Sequence, residues 1–332
     1  MEKIAILGAG TWGTALGKIL HRNGHTVTLW SALPSEVEIL TSTRKHPNLP
    51  GMILPNEVSL TTDLNAALKD ANIVVFAVAS PYIRATAKKA APFITADMTI
   101  VDVAKGLEAG SHMTLTEVIA DELSRPDIPL VALSGPTHAE EAAADMPTAI
   151  VAASTDEKAA SYIQKTFSGD VLRVYTNTDM KGVEISGAMK NIIALAAGIS
   201  DGLGYGDNTK AAIITRGMAE ITRLGTKLGG RRQTFESLAG IGDLIVTCTS
   251  RHSRNNRAGY LIGQGMRPED AVKEVGMVVE GIHALTAAME LSQKHGVELP
   301  ISSTVNGIVH GTIDVSEALH HLMSRELKTE DE

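Results

Sequence analysis

The strongest constraint on the fold is a spaced set of three glycines between a short apolar run and a helical pattern. The three glycines are Gly8, Gly10 and Gly13. They follow the β-branched and apolar run Lys3–Leu7, which predicts a buried strand, and they open a helical pattern from Trp12 to about Asn23. A second run of the same kind, Thr26–Trp30, comes next. This order predicts a strand–helix–strand unit of about thirty residues.

The G-x-G-x-x-G spacing predicts a cradle for the pyrophosphate of a dinucleotide. Glycines permit a tight turn and a close backbone approach, and the start of the helix offers free N–H donors to phosphate. A purely structural glycine turn is the alternative. An acid that binds the adenosine ribose is expected about 20 residues further on. The turn after Trp30 contains no arginine and no acid before Glu36, so the sequence leaves the choice between NAD and NADP open.

The alternation of strands and helices continues to about residue 180. Further strands are predicted at Asn72–Val78, Met98–Val103, Leu130–Leu133, Thr148–Ala152 and Val171–Tyr175. One helix is predicted to start at Pro81 and another to span Asp156–Phe167. Strands that alternate with helices imply a parallel sheet covered on both faces. We therefore expect an α/β, doubly wound domain of Rossmann type over residues 1–180.

After about Asp179 the pattern is helical throughout. Apolar residues recur at helical spacing in Ile185–Ile199, Ala211–Leu228, Ala258–Gly263, Pro268–Val275, Gly281–His295 and Thr304–Val309. Residues 181–332 are therefore expected to form an all-α domain, with the boundary near Asp179–Gly182. Gly202–Gly206 is interpreted as a flexible loop, and Ser324–Glu332 as a solvated tail.

Composition narrows the classes of function. The net charge of −8 argues against nucleic acid or an anionic membrane surface as a partner. The single cysteine, Cys248, excludes an intrachain disulfide, and the histidines show no metal-ligand spacing. The N-terminus lacks the pattern of a signal peptide, and no uncharged apolar run of about eighteen residues occurs. We expect a cytoplasmic protein with no membrane span and no metal, and the alanine-rich helical half is where a homodimer surface would lie.

The apolar run Ile185–Ser200 contains a single charged side chain, Lys190. A lysine in such a run either extends its ammonium group into solvent or loses part of its hydration. Desolvation disfavours the ammonium form and lowers the pKa, which makes a lysine a usable proton donor near neutral pH. Beside a nucleotide cradle, Lys190 indicates an enzyme that moves a hydride and a proton.

Lys105 and the segment Ser134–Glu141 each follow a predicted strand. The carboxyl ends of parallel strands face the ligand crevice, so both are candidates for ligand contact. If Lys105 approaches Lys190, their mutual repulsion lowers both pKa values. The turn from Gly135 to Thr137 offers N–H groups and a hydroxyl, although Thr137 is an equally good helix N-cap. A solvated loop lysine is the alternative for Lys105.

The densest polar segment is Ala239–Gly259. Asp243 lies among glycine and aliphatic residues, which predicts a partly buried carboxylate that needs a cationic partner, such as a catalytic lysine. Ser253, Arg254 and Asn255 supply a hydroxyl, a guanidinium and an amide, a set that suits a phosphate dianion. The alternative is a basic surface patch, because arginine recurs at every third position there.

Several longer segments together resemble the bacterial-type NAD(P)-dependent glycerol-3-phosphate dehydrogenases over nearly the whole chain. The nucleotide motif is shared with many dehydrogenases, whereas the segments around Lys190 and Asp243 are more specific. The segments are GAGTWGTALG at Gly8–Gly17, AKGLE at Ala104–Glu108, SGPTHAEE at Ser134–Glu141, GAMKNIIALAAGISDGLGYGDNTKAAIITRG at Gly187–Gly217, AGIGDLIVTCTSRHSRN at Ala239–Asn255 and VVEG at Val278–Gly281.

The resemblance implies reversible reduction of dihydroxyacetone phosphate at C2 to sn-glycerol 3-phosphate, a precursor of glycerophospholipids, with Lys190 as proton donor or acceptor. The substrate contacts that it implies are at Lys105, Gly135, Thr137, Lys190, Asp243, Ser253, Arg254 and Asn255. Besides the three glycines, the coenzyme contacts that it implies are at Thr11, Trp12, Lys105, Ala139, Arg254, Val278 and Glu280. Many members carry a basic residue one or two positions after the tryptophan that matches Trp30. This chain has Ser31 and Ala32 there, so a strong NADP preference is not implied.

Three classes of function are therefore weighed. The first is this dehydrogenase, with Lys190 and Asp243 as the catalytic pair and Ser253–Asn255 as an anion clamp. The second is another two-domain dehydrogenase of hydroxy acids or keto esters, which needs no phosphate clamp. The third is a non-catalytic dinucleotide sensor, in which a lysine in an apolar helix and a separate anion clamp have no evident purpose. These two features favour the first.

Overall fold

The computed structural model describes residues 1–327 and Thr329, and the predicted tail Ser324–Glu332 lies partly outside them. The N-terminal half is built on a single eight-stranded sheet. The strands are β1 Lys3–Leu7, β2 Thr26–Trp30, β3 Ser59–Thr61, β4 Ile73–Phe76, β5 Thr99–Asp102, β6 Leu130–Ser134, β7 Thr148–Ala153 and β8 Leu172–Asn177. Their order in the sheet is β3-β2-β1-β4-β5-β6-β7-β8. β2 and β3 therefore lie on one side of β1, and β4 to β8 lie on the other side. The strand order reverses at the junction of β1 and β4, as in a doubly wound fold.

One pair of strands departs from the predicted parallel sheet. β6 and β7 are antiparallel, with Leu133 opposite Ala152, whereas the other pairs are parallel. The helix between them, Ala139–Ala143, has five residues and is about 7 Å long. A strand of six residues such as β7 spans about 20 Å, so this helix is too short to return the chain to the opposite edge. The prediction of an all-parallel sheet was wrong at this pair.

Helices cover both faces of the sheet. They are α1 Thr11–Arg22, α2 Pro34–Thr43, α3 Leu64–Leu68, α4 Ile83–Ala90, α5 Leu115–Leu123, α6 Ala139–Ala143 and α7 Glu157–Phe167. Side chains alternate along a strand, so β1 contributes to two cores. Ile4 and Ile6 join the core that contains α1, and Ala5 and Leu7 join the core that contains α4 and α5. Burial on both faces explains why the strands read as continuous apolar runs.

The C-terminal half is helical, as expected, and packs around one central helix. Its helices are α8 Met180–Gly202, α9 Asp207–Lys227, α10 Arg232–Phe235, α11 Asp243–Thr249, α12 Arg254–Gly263, α13 Pro268–Val275, α14 Glu280–His295, α15 Pro300–Val309 and α16 Ala318–Met323. By length and composition α8 could cross a membrane, but the apolar 18-residue stretch that meets this criterion is completely buried inside the protein. It is therefore the core helix of this half, which explains its apolar sequence.

Glycines set the distance between α8 and α12. A Cβ atom at Gly198 would overlap the carbonyl oxygen of Asn256, and one at Gly259 would overlap that of Leu195. The two helix backbones therefore touch, and the first turn of α12 lies beside the part of α8 that carries Lys190. α8 continues through Gly202, where a Cβ atom would likewise overlap a backbone carbonyl of α12, that of Tyr260. The predicted loop Gly202–Gly206 was therefore wrong at its first residue.

The predicted strands are confirmed: β1 and β2 have the predicted ends, and the ends of the other strands differ by at most two residues. The helix predicted to start at Pro81 begins as the 3₁₀ turn Ser80–Tyr82 and continues as α4. Elements that the sequence did not reveal are short or lack periodicity, namely β3, α2, α3, α5, α6, α10, α11 and α16. A π turn at Leu238–Gly242, with a kink at Gly240 (φ −97°, ψ −106°), directs the start of α11. Its glycines had been noted only as neighbours of Asp243.

Candidate active site

The predicted site residues meet in a cleft of about 620 Å³ at the carboxyl ends of the central strands. One side is formed by the turns that follow β1, β4, β5 and β6, and the other by α8 and the starts of α11, α12 and α14. This is the position, at the point where the strand order reverses, in which doubly wound folds bind their ligands. The location follows from topology, before any side chain is considered.

The glycine turn leaves room for a pyrophosphate. Gly8 has φ +130°, and a Cβ there would lie 2.6 Å from the carbonyl carbon of Ala77. A Cβ at Gly13 would overlap the carbonyl oxygen of Gly8, so these two glycines let α1 pack against the strands. Gly10 is the N-cap of α1, and a Cβ there would meet nothing within 4 Å. The open space in front of Gly10 and the free N–H groups of the first turn fit a bound pyrophosphate.

Two lysines and one carboxylate form the centre of the cleft. Asp243 lies at the start of α11 and is 1% exposed. Its Oδ1 accepts a hydrogen bond from Lys190 Nζ at 2.5 Å, and its Oδ2 accepts one from Lys105 Nζ at 2.7 Å. Lys105 and Lys190, whose approach the sequence left open, therefore meet at one carboxylate, which is more buried than expected.

Burial and the neighbouring charges set the protonation of this cluster. Burial lowers the pKa of Lys190 to about 7, although the charge of Asp243 opposes the shift, and Lys105 lowers it further. Burial alone would raise the pKa of Asp243, yet the two lysines together outweigh it and hold that pKa below its usual range. With both lysines protonated, the cluster carries one excess positive charge in a dry site. Loss of one proton from Lys190 neutralises the cluster.

Hydrogen bonding distinguishes the two lysines. Lys105 Nζ donates to Asp243, to the carbonyl of Gly135 at 2.8 Å and to Thr137 Oγ1 at 3.3 Å, which uses its three N–H groups. Lys190 Nζ donates to Asp243 and to Thr247 Oγ1 at 2.6 Å. Among the residues that the structure describes, Lys190 is therefore the lysine with an N–H left for a ligand.

Thr137 and Thr247 both act on these lysines. Thr137 Oγ1 donates to the carbonyl of Gly135 at 3.0 Å, and the N-cap of α6 is His138, so the N-cap alternative for Thr137 was wrong. Thr247 Oγ1 donates to the backbone carbonyl of Asp243 at 2.6 Å, one helical turn earlier in α11. The four-residue spacing of Asp243 and Thr247 would have indicated this partner if α11 had been recognised as a helix.

The start of α12 forms the end of the cleft suited to an anion. Ser253 is the N-cap, and its Oγ accepts a hydrogen bond from Asn256 N at 3.2 Å. Arg254, the first residue of α12, lines the cleft and donates to the carbonyl of Val278 at 3.3 Å. A helix N-terminus with an arginine on its first turn favours a phosphate group.

Asn255 is buried and connects three helices. Its Nδ2 donates to Asn191 Oδ1 at 3.0 Å, and its Oδ1 accepts from Gly281 N at 2.8 Å. The amide that the sequence suggested as a third member of the anion clamp is thus bonded to α8 through one of its two N–H groups and to α14 through its oxygen. Asn255 holds Lys190 and Arg254 in register through the helices that carry them.

Two further acids lie behind the cleft. Asp102 lies at the end of β5, and burial, followed by the nearby charge of Glu184, raises its pKa well above its usual range. Burial raises the pKa of Glu184 to about 7, against the effect of its hydrogen bonds to Thr116. Those bonds, from Thr116 N at 2.8 Å and Oγ1 at 2.6 Å, join α8 to the first turn of α5.

The structure brings most of the predicted site residues to the wall of the cleft. These are Gly10, Thr11, Trp12, Lys105, Thr137, Lys190, Asp243, Ser253, Arg254, Asn255, Val278 and Glu280. Four others are absent from that wall, namely Gly8, Gly13, Gly135 and Ala139. The first three shape it through the backbone, as described above, and Ala139 is buried at the start of α6. The ligand contacts of all these residues remain predictions.

Several residues of the wall were missed by sequence reasoning. They are Glu36, His46, His138, Asn191, Thr247 and His252. The rings of His138 and His252 are neighbours on this wall, with centroids 5.9 Å apart and a tilt of 54° between their planes. Burial lowers the pKa of His138, and the charge of Lys190 adds to that effect. Apart from Thr247, these residues are brought together only by the fold, so no local sequence pattern indicates them.

A larger groove, of about 1180 Å³, lies on the helical half between α9, α15 and α16. None of the predicted site residues lines it. The chemistry described above therefore belongs to the smaller cleft.

Known proteins resemble this chain over nearly its whole length. Models of the N- and C-terminal parts of NAD-dependent glycerol-3-phosphate dehydrogenase match residues 3–160 and 179–320. Glycerol-3-phosphate dehydrogenase (NAD(P)+) 2 of Lactobacillus delbrueckii subsp. bulgaricus is 55% identical over 334 residues, which covers 99% of each chain. The crystal structure of glycerol-3-phosphate dehydrogenase from Coxiella burnetii has a TM-score of 0.93 at 39% identity, covering 98% of this chain and 99% of that one. A D-mandelate dehydrogenase with NADH has a TM-score of 0.66 at 14% identity, covers 96% and 99% of the two chains, and shows only the shared fold. The chain therefore belongs to the NAD-dependent glycerol-3-phosphate dehydrogenase family.

Proposed function

We propose that the chain interconverts dihydroxyacetone phosphate and sn-glycerol 3-phosphate with NAD(P)H, and thereby feeds glycerophospholipid synthesis in the cytoplasm. The observation that carries the proposal is the bridging of Lys105 and Lys190 by Asp243, in one cleft with Arg254. The reactive lysine and the anion-binding helix start thus face the same space. A triose phosphate needs both at once, and a hydroxy acid without phosphate does not.

Each part of the cleft has its own role in the proposed reaction. The glycine turn and the first turn of α1 would hold the pyrophosphate of the coenzyme, whose reduced nicotinamide supplies a hydride. Lys190 donates a proton to the oxygen of the substrate carbonyl as it becomes an alcohol, and accepts one in the reverse direction. Asp243 keeps Lys190 oriented and binds Lys105 beside it. Arg254 and the start of α12 bind the phosphate.

The chain also divides into two parts in this proposal. Residues 1–180 hold the coenzyme, and residues 181–332 supply Lys190, Asp243 and the anion site. Asp179 supports the boundary because its Oδ1 caps the start of α8 by accepting from Gly182 N at 3.0 Å. A homodimer through the helical half is part of the same proposal, and sedimentation of the purified chain tests it.

Replacement of Arg254 tests the phosphate site. In Arg254→Ala we expect kcat/KM for dihydroxyacetone phosphate to fall about 100-fold, because a charge-assisted, two-pronged contact is lost. Arg257→Ala is the matched control, since Arg257 is exposed one turn further along α12 and does not line the cleft. Both variants are assayed with dihydroxyacetone phosphate and with 2-keto acids.

An unchanged kcat/KM in Arg254→Ala, or faster reduction of a 2-keto acid than of dihydroxyacetone phosphate by the unmodified chain, would overturn the proposal in favour of a hydroxy-acid dehydrogenase. Tight NADH binding with no oxidation of NADH by any of these substrates would instead support a dinucleotide sensor.

A further inference from the structure

A short hydrogen-bonded unit follows β2 and includes the first acid after that strand. Ser31 is 3% exposed, and its Oγ donates to Glu36 Oε2 at 2.5 Å. The same Oγ accepts a hydrogen bond from Leu33 N at 3.1 Å. Glu36 lies in the first turn of α2 and is half-buried. Glu36 is five residues beyond Ser31, the first residue after β2. The turn nevertheless folds back and places the Glu36 carboxylate at the end of that strand.

The sheet fixes where this carboxylate stands in the cleft. β2 lies beside β1, with Trp30 opposite Leu7, and Gly8 N donates to the carbonyl of Trp30 at 2.8 Å. Glu36 therefore lines the cleft next to the glycine turn. Lys105 follows β5, which lies two strands away on the other side of β1. Glu36 and the reactive lysines thus occupy opposite ends of one cleft.

Positive charge is absent from the Glu36 end among the described residues that line the cleft. The lysines and the arginine of that wall, Lys105, Lys190 and Arg254, belong to the other end. His46 lies near Glu36, but burial lowers its pKa, although the charge of Glu36 opposes the shift, so its ring is neutral at pH 7. Arg44 Nη1 donates to the backbone carbonyl of Val58 at 2.9 Å, outside the cleft.

A dinucleotide bound with its nicotinamide beside Lys190 places its adenosine ribose at the Glu36 end. The ribose of NAD carries a free 2′-hydroxyl, which is a hydrogen-bond donor, whereas that of NADP carries a 2′-phosphate with about two negative charges. A fixed carboxylate without a neighbouring cation accepts a hydrogen bond from the 2′-hydroxyl of NAD and repels the 2′-phosphate of NADP.

We propose that Glu36, oriented by Ser31, binds the adenosine ribose through its 2′-hydroxyl and makes this chain select NAD over NADP. The inference rests on the assignment of the cleft as the coenzyme site of the proposed function. Its physical basis is discrimination by repulsion, which is stronger than the loss of one hydrogen bond because both charges lie close together in a partly desolvated place.

Equilibrium titrations of NADH and NADPH test the inference without any turnover. For the unmodified chain we expect the dissociation constant of NADH to be at least about 100-fold lower than that of NADPH. Glu36→Gln keeps the shape and removes the charge, so NADH should bind more weakly and NADPH more tightly, and the ratio should fall at least tenfold. Glu38→Gln is the matched control, because Glu38 is exposed on the same helix and does not line the cleft. Its ratio should equal that of the unmodified chain.

Ser31→Ala separates orientation from charge. It keeps the Glu36 carboxylate but removes the hydroxyl that orients it. We therefore expect a ratio of the NADPH and NADH dissociation constants between those of the unmodified chain and Glu36→Gln. Circular dichroism verifies that each variant is folded, and the ratio of the unmodified chain decides even if one variant does not fold. A chain that binds NADPH as tightly as NADH, or a Glu36→Gln ratio within twofold of the original, would overturn the inference. Failure to reduce dihydroxyacetone phosphate would overturn the proposed function, while the titrations would still decide the role of Glu36.

Discussion

Replacement of Lys190 by methionine should abolish most activity and yet stabilise the fold. Burial takes the pKa of Lys190 from 10.5 to about 7, which corresponds to about 5 kcal/mol against the ammonium form in the folded protein. Methionine fills a similar volume without a charge. Removal of Lys190 leaves Asp243 paired with Lys105 at 2.7 Å, so no buried carboxylate is left alone. We expect the free energy of unfolding at pH 6 to rise by about 1–4 kcal/mol, with the pKa shift as its upper bound.

The gain should depend on pH in a defined direction. The pKa is lowered in the folded state, so below pH 7 both the folded and unfolded chains hold the proton and the full cost applies. Between pH 7 and about 10 the folded chain has released the proton and the unfolded chain still holds it, so the stability of the unmodified chain rises with pH. The advantage of Lys190→Met should therefore shrink over that range. Urea unfolding at a series of pH values measures it.

Turnover provides the second readout. Loss of the proton donor should lower kcat by a factor on the order of 10²–10⁴, measured as the disappearance of reduced nicotinamide absorbance with dihydroxyacetone phosphate. Lys181→Met is the matched control, because Lys181 lies on the same helix, is about half exposed and pairs with Glu117 at 2.9 Å. It should keep full turnover and change stability by less than about 1 kcal/mol. Near-normal turnover in Lys190→Met, or a loss of stability at pH 6, would refute the reasoning.

Two further predictions concern the coenzyme cradle and the junction of the two halves. Gly10→Ala should raise the KM for NADH about tenfold and leave the melting temperature unchanged, whereas Gly13→Ala should lower the melting temperature, because its Cβ overlaps the carbonyl of Gly8; equal melting temperatures would contradict this. Glu184→Gln should abolish a pH-dependent loss of stability in the unmodified chain. The pKa of Glu184 is raised to about 7, so stability is highest below about pH 4.5 and falls by about 3 kcal/mol as the pH rises through 7, and parallel profiles for the two proteins would exclude the assignment.

The sequence predicted those parts of the fold and the site that depend on neighbouring residues. β1, the glycine turn and α1 follow each other within one stretch, and continuous apolar strands indicate a buried sheet wherever they occur. The unusual position of Lys190 in an apolar helix was also readable, because burial of that helix follows from its composition. The aliphatic surroundings of Asp243 likewise indicated a buried carboxylate with a lysine as its partner, and the family resemblance added the expected ligand contacts.

The remainder required distances between segments far apart in the chain. Ser31 and Glu36 show this most clearly. Glu36 is the first acid after β2, but it is six residues beyond the end of that strand, too far by simple counting to bind a ribose there. The turn between them folds back, and a single hydroxyl fixes the carboxylate beside the glycine turn. Asn255 is a second case, because its position suggested a ligand contact but did not indicate that its amide also joins α12 to α8 and α14. Antiparallel β7 likewise depends on the length of α6, which no apolar pattern reveals.

The balance of charge in the lysine cluster explains how one site serves both directions of the proposed reaction. Two ammonium groups and one carboxylate leave a single proton that the cluster can lose to become neutral, and burial brings the pKa of its donor, Lys190, to about 7. Both protonation states are therefore populated at neutral pH, so Lys190 is ready either to give or to take a proton. A second charged carboxylate near the cluster would raise the pKa of Lys190 and hold the proton there. Burial raises the pKa of Asp102, three residues before Lys105, well above its usual range and so disfavours a second negative charge there.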